Sequence, residues 1–248
     1  MKTFLFEVCA ESVEAAQAAE SGGADRIELC SQLPIGGITP QIELTRAAIR
    51  AVSIPVHVLI RPRSGDFSYS AEEFALVKRQ IEEARQAGAA GVAVGVLLPD
   101  GRVDVERTRE LVCLGRPMNV TFHRAFDTAS DLNEALEAVI ETGADCLLTS
   151  GGATDVMAGA ESIARLRIQA GERLAIMAGG GLRLSNLVDV VRRTGAHYLH
   201  GSMTRWRDAE AEGATSIAMS GLEADVRESV RLLRDEFTTP EFATEPTR

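Results

Sequence analysis

Lysine is almost missing from this sequence. Lys2 and Lys78 are its only two, so 24 of the 26 basic residues are arginine, and neither lysine falls at the end of an expected strand. That argues against a Schiff-base lysine. Positive charge is short as well, since 36 acidic residues against 26 basic ones give a net charge of -10. Nucleic acid and anionic membranes are therefore poor partners. Small anionic ligands survive this argument, because a local arginine cluster can oppose the overall field. No apolar run approaches the roughly 18 residues that span a bilayer. The N-terminus offers one lysine and the short run Phe4 to Phe6 before Glu7, less than a signal-peptide core requires. A soluble cytoplasmic protein with no membrane partner is the expectation. There is no C-x-x-C, no His/Cys cluster and no methionine-rich loop. Cys9, Cys30, Cys113 and Cys146 stand far apart, as reduced cytosolic thiols do, and Cys113 and Cys146 read as packing residues. No organic cofactor is expected. A linker rich in Pro, Gly, Ser or charge is also lacking, so the 248 residues fit one domain. Its expected extent is 1–236, followed by a tail, 237–248, that is disordered or laid on a neighbouring subunit.

What is present is alternation. Short apolar runs at 4–9, 26–30, 56–61, 91–97, 119–124, 146–150, 174–178 and 198–202 read as strands. Amphipathic segments near 12–21, 41–52, 71–87, 104–115, 131–142, 157–170, 185–194 and 222–236 read as helices between and after them. Ser70-x-x-Glu73 is a capping-box signature for the third helix. Gly23-Ala24, Gly88-Ala89, Gly143-Ala144 and Gly195-Ala196 each follow a helix and precede an even-numbered strand, 65, 55 and 52 residues apart. Glycine there is a left-handed helix stop, and the repeat unit is two βα modules used four times. The pattern favours an α/β fold of the TIM (β/α)8 barrel type, with an open doubly wound sheet as the alternative.

In a barrel, period-two alternation sorts each strand into a helix-facing and a lumen-facing side. Phe6 and Val8 face the helices, so Glu7 and Cys9 face in. The same parity turns Glu28, Cys30, His57, Leu59, Arg61, Thr121 and His123 inward. The upper lumen then holds Glu7, Glu28, Arg61 and His123 where barrel enzymes keep their chemistry, at strand C-termini. Enclosed carboxylates cost several kcal/mol each unless paired, so Arg61 or a protonated His123 is expected to oppose them. This group is either catalytic, with His123 as acid/base, or an ion network that fixes strand register. By the same parity Arg124 faces away, and Asp127 caps the next helix or closes the rim.

Gly179, Gly180 and Gly181 with Arg183 follow the seventh strand, and Gly201 and Ser202 end the eighth. Those two loops commonly bind phosphate in barrels, so these residues are the candidate anion site. Arg205 and Arg207 add charge from 203–221, a candidate lid. The turn Arg61–Phe67 either binds an anion or is a solvated turn. Cys9 and Cys30 share the pattern Glu-x-Cys on neighbouring strands about 4.8 Å apart. Aligned thiols so placed can hold a soft cation such as Cu(I), or are two small buried hydrophobes. His57 reads as a core residue, His197 as a bottom-rim residue, and His200, sharing parity with Ser202, as a secondary candidate for the mouth.

Several blocks then resemble a known family. Phe6-Glu7-Val8-Cys9, Arg26-Ile27-Glu28-Leu29-Cys30, Gly36-Gly37-Ile38-Thr39-Pro40, Ile60-Arg61-Pro62-Arg63-Ser64-Gly65-Asp66-Phe67, Thr121-Phe122-His123-Arg124-Ala125-Phe126-Asp127 and Leu148-Thr149-Ser150-Gly151 are similar to the signature blocks of the CutC family. The resemblance runs from about residue 3 to 202. Ser64, where glycine is usual, and Ile38, where leucine or threonine is usual, are its departures. The resemblance implies a TIM barrel, a cytoplasmic location, a homodimer or larger homo-oligomer, and a role in copper homeostasis with copper held at thiols, here Cys9 and Cys30. The polar lumen and the glycine loops themselves point instead to an enzyme acting on a small phosphate- or carboxylate-bearing metabolite, and both readings stand at this stage.

Overall fold

The glycines expected to stop helices do so in the computed structural model, which describes residues 4–203 and 219–239. Gly23, Gly88, Gly143 and Gly195 all adopt left-handed backbone, with φ of 96°, 90°, 79° and 65°. They close α1 (Val13–Gly22), α3 (Ala71–Ala87), α5 (Leu132–Thr142) and α7 (Leu187–Thr194). Ser70 and Glu73 form the reciprocal capping box at the start of α3. The remaining helices are α2 (Ile42–Ala51), α4 (Val105–Gly115), α6 (Ala160–Ala170) and α8 (Met219–Phe237).

The strands are β1 (Leu5–Ala10), β2 (Arg26–Leu29), β3 (Val56–Leu59), β4 (Gly91–Val94), β5 (Asn119–Phe122), β6 (Cys146–Thr149), β7 (Ala175–Gly179) and β8 (Tyr198–Gly201). They neighbour one another in chain order, all parallel, and β8 returns to β1 to close the barrel. Closure decides against the open sheet. Several strands end sooner than their apolar runs, because β3 and β5 give way to loops just before Arg61 and His123.

Burial follows the alternation. Phe6, Val8, Ile27, Leu29, Val58, Val92, Val120, Phe122, Leu147 and Leu199 face the helices in one continuous core. The lumen is far less apolar, with Cys9, Cys30, Leu59 and Ala93 in one small cluster and Cys146, Leu148 and Met177 in another. Cys146 is a packing residue. Cys113 is not: it is exposed, because α4 turns Leu111, Val112 and Gly115 to the core and Cys113 falls on the opposite face. α8 packs on α1, where a Cβ at Gly22 would stand 2.6 Å from Val226. Phe237 stacks on Phe4 at 5.4 Å between ring centroids and lies 4.9 Å from the His197 ring. The closing helix thus extends one residue past the expected boundary at 236. Residues 204–218 and 240–248, with Arg205, Arg207 and nearly all of the expected lid and tail, lie outside the described residues.

Gly88 separates the backbone effect from packing, since a Cβ there would meet only Ile49, at 3.9 Å. Gly88→Ala is expected to cost about 1–2 kcal/mol through the left-handed backbone alone. The cost should read as a lower urea midpoint at unchanged slope; no measurable loss would show that the stop is set elsewhere.

Candidate functional site

The register of the closing strands builds the site from its floor. Glu7 stands opposite Arg26 on β2 and opposite His200 on β8. Its carboxylate accepts from Arg26 Nε at 2.5 Å and pairs with His200 Nδ1 at 2.7 Å. His57 Nδ1 lies 4.0 Å away, and Arg26 Nη2 reaches Met177 Sδ at 3.5 Å. Glu7 is 1 % exposed. Burial alone would drive its carboxyl up, but Arg26, His200 and His57 outweigh that and hold it far below the usual carboxylate range.

This arrangement corrects the expected ion pairing. The cations facing the carboxylates are Arg26 and His200, not Arg61 or a protonated His123. Arg61 donates to the carbonyls of Ile35, Gly37 and Gly65 at 3.3, 3.1 and 2.8 Å, with its guanidinium 4.8 Å from the Phe67 ring centroid. It ties the loops after β2 and β3 together. His123 Nδ1 accepts the Ala125 N–H at 3.2 Å, so the neutral ring carries its proton on Nε2, which has no partner. Burial, with Arg61 nearby, pushes its pKa down to about 3. His57 is likewise neutral, pushed down to about 4 by burial and by Arg26. Both rings need space from β4 and the residue after it: a Cβ at Gly95 would stand 2.5 Å from His123, and one at Gly91 would strike His57.

Above the floor, Cys9 and Cys30 bring their sulfurs to 3.1 Å. Gly37, at φ 80°, lets the loop after β2 close over them, since a Cβ there would come 2.7 Å from Leu59 and 3.5 Å from Cys30. The shared S–H···S contact, then burial, raises the Cys9 thiol well above its ordinary range. Glu28 Oε2 lies 3.7 Å from His200 Nε2. Burial pushes the Glu28 carboxyl up, only partly offset by His200. For His200, burial opposes protonation, but Glu28 and Glu7 prevail and its pKa is raised. Ligand atoms of Cys9, Glu28 and His200 all lie within 4.8 Å of one another, the one such group among the described residues with metal-binding potential.

The strand alternation fails at Arg124. The chain leaves β5 at Phe122 and winds into a 3-10 turn, Arg124–Thr128, which swings Arg124 back over the mouth instead of away from it. Its Nε donates to Asp127 at 2.8 Å and its Nη2 to Ser150 Oγ at 2.9 Å. Asp127 also accepts from Thr149 Oγ1, Ser150 N and Gly152 N, so it fastens the exit of β5 to that of β6. Arg63, by contrast, spends its donors on Glu73, Asp66 and turn carbonyls, as a solvated turn would.

These layers open into a cavity of about 240 Å³. The four lumen candidates, the two thiols and the glycine-loop residues with Arg183 and Ser202 all line it except Glu7, which lies beneath, and Gly179. A Cβ at Gly179 would stand 2.6 Å from Leu148 and 3.0 Å from His200, so that glycine serves packing. Arg124 and His200 line the cavity too. Parity with Glu28 was the available signal for Arg26, and the β1–β8 seam that gives His200 its importance has no local trace in sequence.

A family model described as CutC family matches residues 4–205. The chain is 45% identical over 206 residues to a Homo sapiens protein named copper homeostasis protein cutC homolog, covering 83% of this chain and 76% of that one. It is 42% identical over 240 residues to a CutC family protein of Chromobacterium violaceum, covering 93% and 97%. A Streptococcus agalactiae crystal structure that carries the name CutC superposes with a TM-score of 0.76 at 28% identity, covering 80% of this chain and 98% of that one.

Removing the floor carboxylate leaves Arg26 buried and unpaired. Glu7→Gln is expected to lower unfolding free energy by about 3–5 kcal/mol; a loss below about 1 kcal/mol in urea titration would mean that the pair is replaceable. The neutral histidines set the acid response. Their folded pKa values, about 4 for His57 and about 3 for His123, lie below the ordinary 6.5, so the unfolded chain takes up these protons first. Stability from them is complete above 6.5 and is lost as pH falls toward the folded values. Each histidine contributes a slope of about 1.4 kcal/mol per pH unit. His123→Gln should remove its share of that slope in unfolding free energies measured across the interval, and an unchanged slope would refute the neutral ring.

Proposed function

Because the chain belongs to the CutC family, we propose that it is a cytoplasmic copper homeostasis protein that holds Cu(I) between Cys9 and Cys30. The observation that carries this reading is the buried thiol pair, 3.1 Å apart at the mouth of the barrel. Thiolates are soft ligands suited to Cu(I), and reduced thiols persist in the cytosol. Metal–thiolate bonds of about 2.3 Å need more than this spacing unless the angle at the metal is acute, so loading moves the sulfurs apart. His200 offers a third donor. Its Nδ1 is engaged by Glu7 at 2.7 Å, which directs Nε2 toward Glu28 and Cys9, in the manner of carboxylates that orient metal-bound histidines. A homodimer or larger homo-oligomer is the assembly that goes with this reading.

Catalytic roles for His123, Glu7, Glu28 and Arg61 are not part of the proposal. Glu7 is locked by Arg26 and His200, Arg61 by three carbonyls, and His123 is enclosed and neutral. Glu28 alone of the four has a buried, raised carboxyl open to the metal-ligand group.

Cu(I) must displace thiol protons whose release burial opposes, so affinity rises with pH. Anaerobic Cu(I) titration against a competing chelator should give saturable binding to the wild-type chain. The Cys9→Ser/Cys30→Ser variant should bind more than about a hundredfold more weakly. Unchanged stoichiometry and affinity in that variant would sink the assignment.

A further inference from the structure

The cavity carries a second set of groups that the thiol pair does not use. In a chain of net charge -10, its wall holds three arginines, Arg61, Arg124 and Arg183, against the single carboxylate of Glu28. The local field is therefore positive inside an acidic protein.

Hydrogen-bond valence is also left over on the side of the β5, β7 and β8 loops. Arg124 spends Nε on Asp127 and Nη2 on Ser150. Its guanidinium lies across Gly180, where a Cβ would stand 3.0 Å from Nη1, and Nη1 has no acceptor among the described residues. Gly180 and Gly181, at φ 95° and 74°, leave their N–H groups without an acceptor among the described residues. The exposed Arg183 side chain has no ion-pair partner among them either. Deeper in the same wall, the His123 Nε2–H of a ring 4 % exposed has no partner. A buried donor so stranded is destabilising, and a small ring movement toward an acceptor in the cavity would relieve it. Leu33, Leu59, Phe67, Leu148 and Leu182 complete the lining, a surface for carbon and not for a bare ion.

We propose that this cavity binds a small organic molecule bearing an oxyanion, a phosphate ester or a carboxylate. Its charged end sits on Arg124, Arg183 and the Gly180 and Gly181 N–H groups, and its body lies against the leucines beside the thiols. Arginine suits this role because its planar fork matches carboxylate and phosphate oxygens. The loops after the seventh and eighth strands are where barrels place such groups. Asp127 does not cancel the site: its oxygens are occupied by Thr149, Ser150 and Gly152 donors, and its remaining effect is to orient Arg124. The assignment stands independently of copper, since none of these donors is a candidate metal ligand.

Calorimetric titration of the copper-free full chain at low salt tests it, with inorganic phosphate and malonate as probes. Saturable binding of either is expected, and the tighter probe identifies the phosphate or carboxylate class. Arg183→Ala, an exposed change that leaves packing alone, and Arg124→Gln should each weaken binding about tenfold or more. Cys9→Ser/Cys30→Ser should keep the anion while losing Cu(I), which separates this site from the thiol pair. No saturable heat from either probe, wild-type affinity in both arginine variants, or loss of the anion with the cysteines would overturn the proposal.

Discussion

The clamp on Glu7 is the interaction on which both closure and chemistry depend. β1 and β8 meet at the seam that turns a sheet into a barrel, and Glu7 with His200 spans that seam at 2.7 Å. Arg26 completes the clamp from the other neighbour of β1. A carboxylate so enclosed is tolerable only when its charge is matched and its oxygens are bonded, and both conditions are met by residues in register with it. One contact therefore fixes the seam, sets the charge of the floor and orients the His200 ring toward Cys9 and Glu28.

The lumen above is stratified by the kind of chemistry each layer tolerates. The floor is hard and ionic, with Glu7 held ionised and His57 held neutral beside Arg26. The thiol layer is soft, and burial with the S–H···S contact keeps Cys9 protonated until something replaces the proton. Toward the rim the donors are cationic and amide in character. Strand C-termini allow such layering because successive inward residues on one strand rise by about two residues' length, roughly 6–7 Å. Glu7 and Cys9 on β1, or Glu28 and Cys30 on β2, can then serve different layers.

Much of this was legible in sequence wherever a local rule governs. The four Gly-Ala stops read correctly because left-handed backbone strongly favours glycine, and the inward set on β1, β2, β3 and β5 followed from alternation. The errors lie where the local rule lapses. Arg124 was placed outward because alternation was carried past Phe122, where the chain has already entered a 3-10 turn. Arg26 shares parity with Glu28 and was within reach, yet Arg61 drew the ion pair because its loop anchoring to Ile35, Gly37 and Gly65 depends on folds of chain that sequence does not display. His200 depends on a partner 193 residues away, and no window along the chain contains both.

The protonation states also bear on which cation the thiols would accept. The sulfurs share an S–H···S contact between buried side chains, above a floor whose charges are already paired. Cu(I) held by both thiolates leaves one more negative charge than the two thiols it replaces, whereas a divalent ion held by the same two thiolates leaves the charge unchanged, so charge balance alone does not select Cu(I). Glu28 is the further acidic group near the thiols, its carboxyl raised chiefly by burial and only partly lowered by His200. Burying uncompensated charge is the dominant cost in such a layer. On the copper reading, discrimination in favour of Cu(I) therefore comes from the softness of the sulfurs, and the clamp below contributes by orienting the His200 ring.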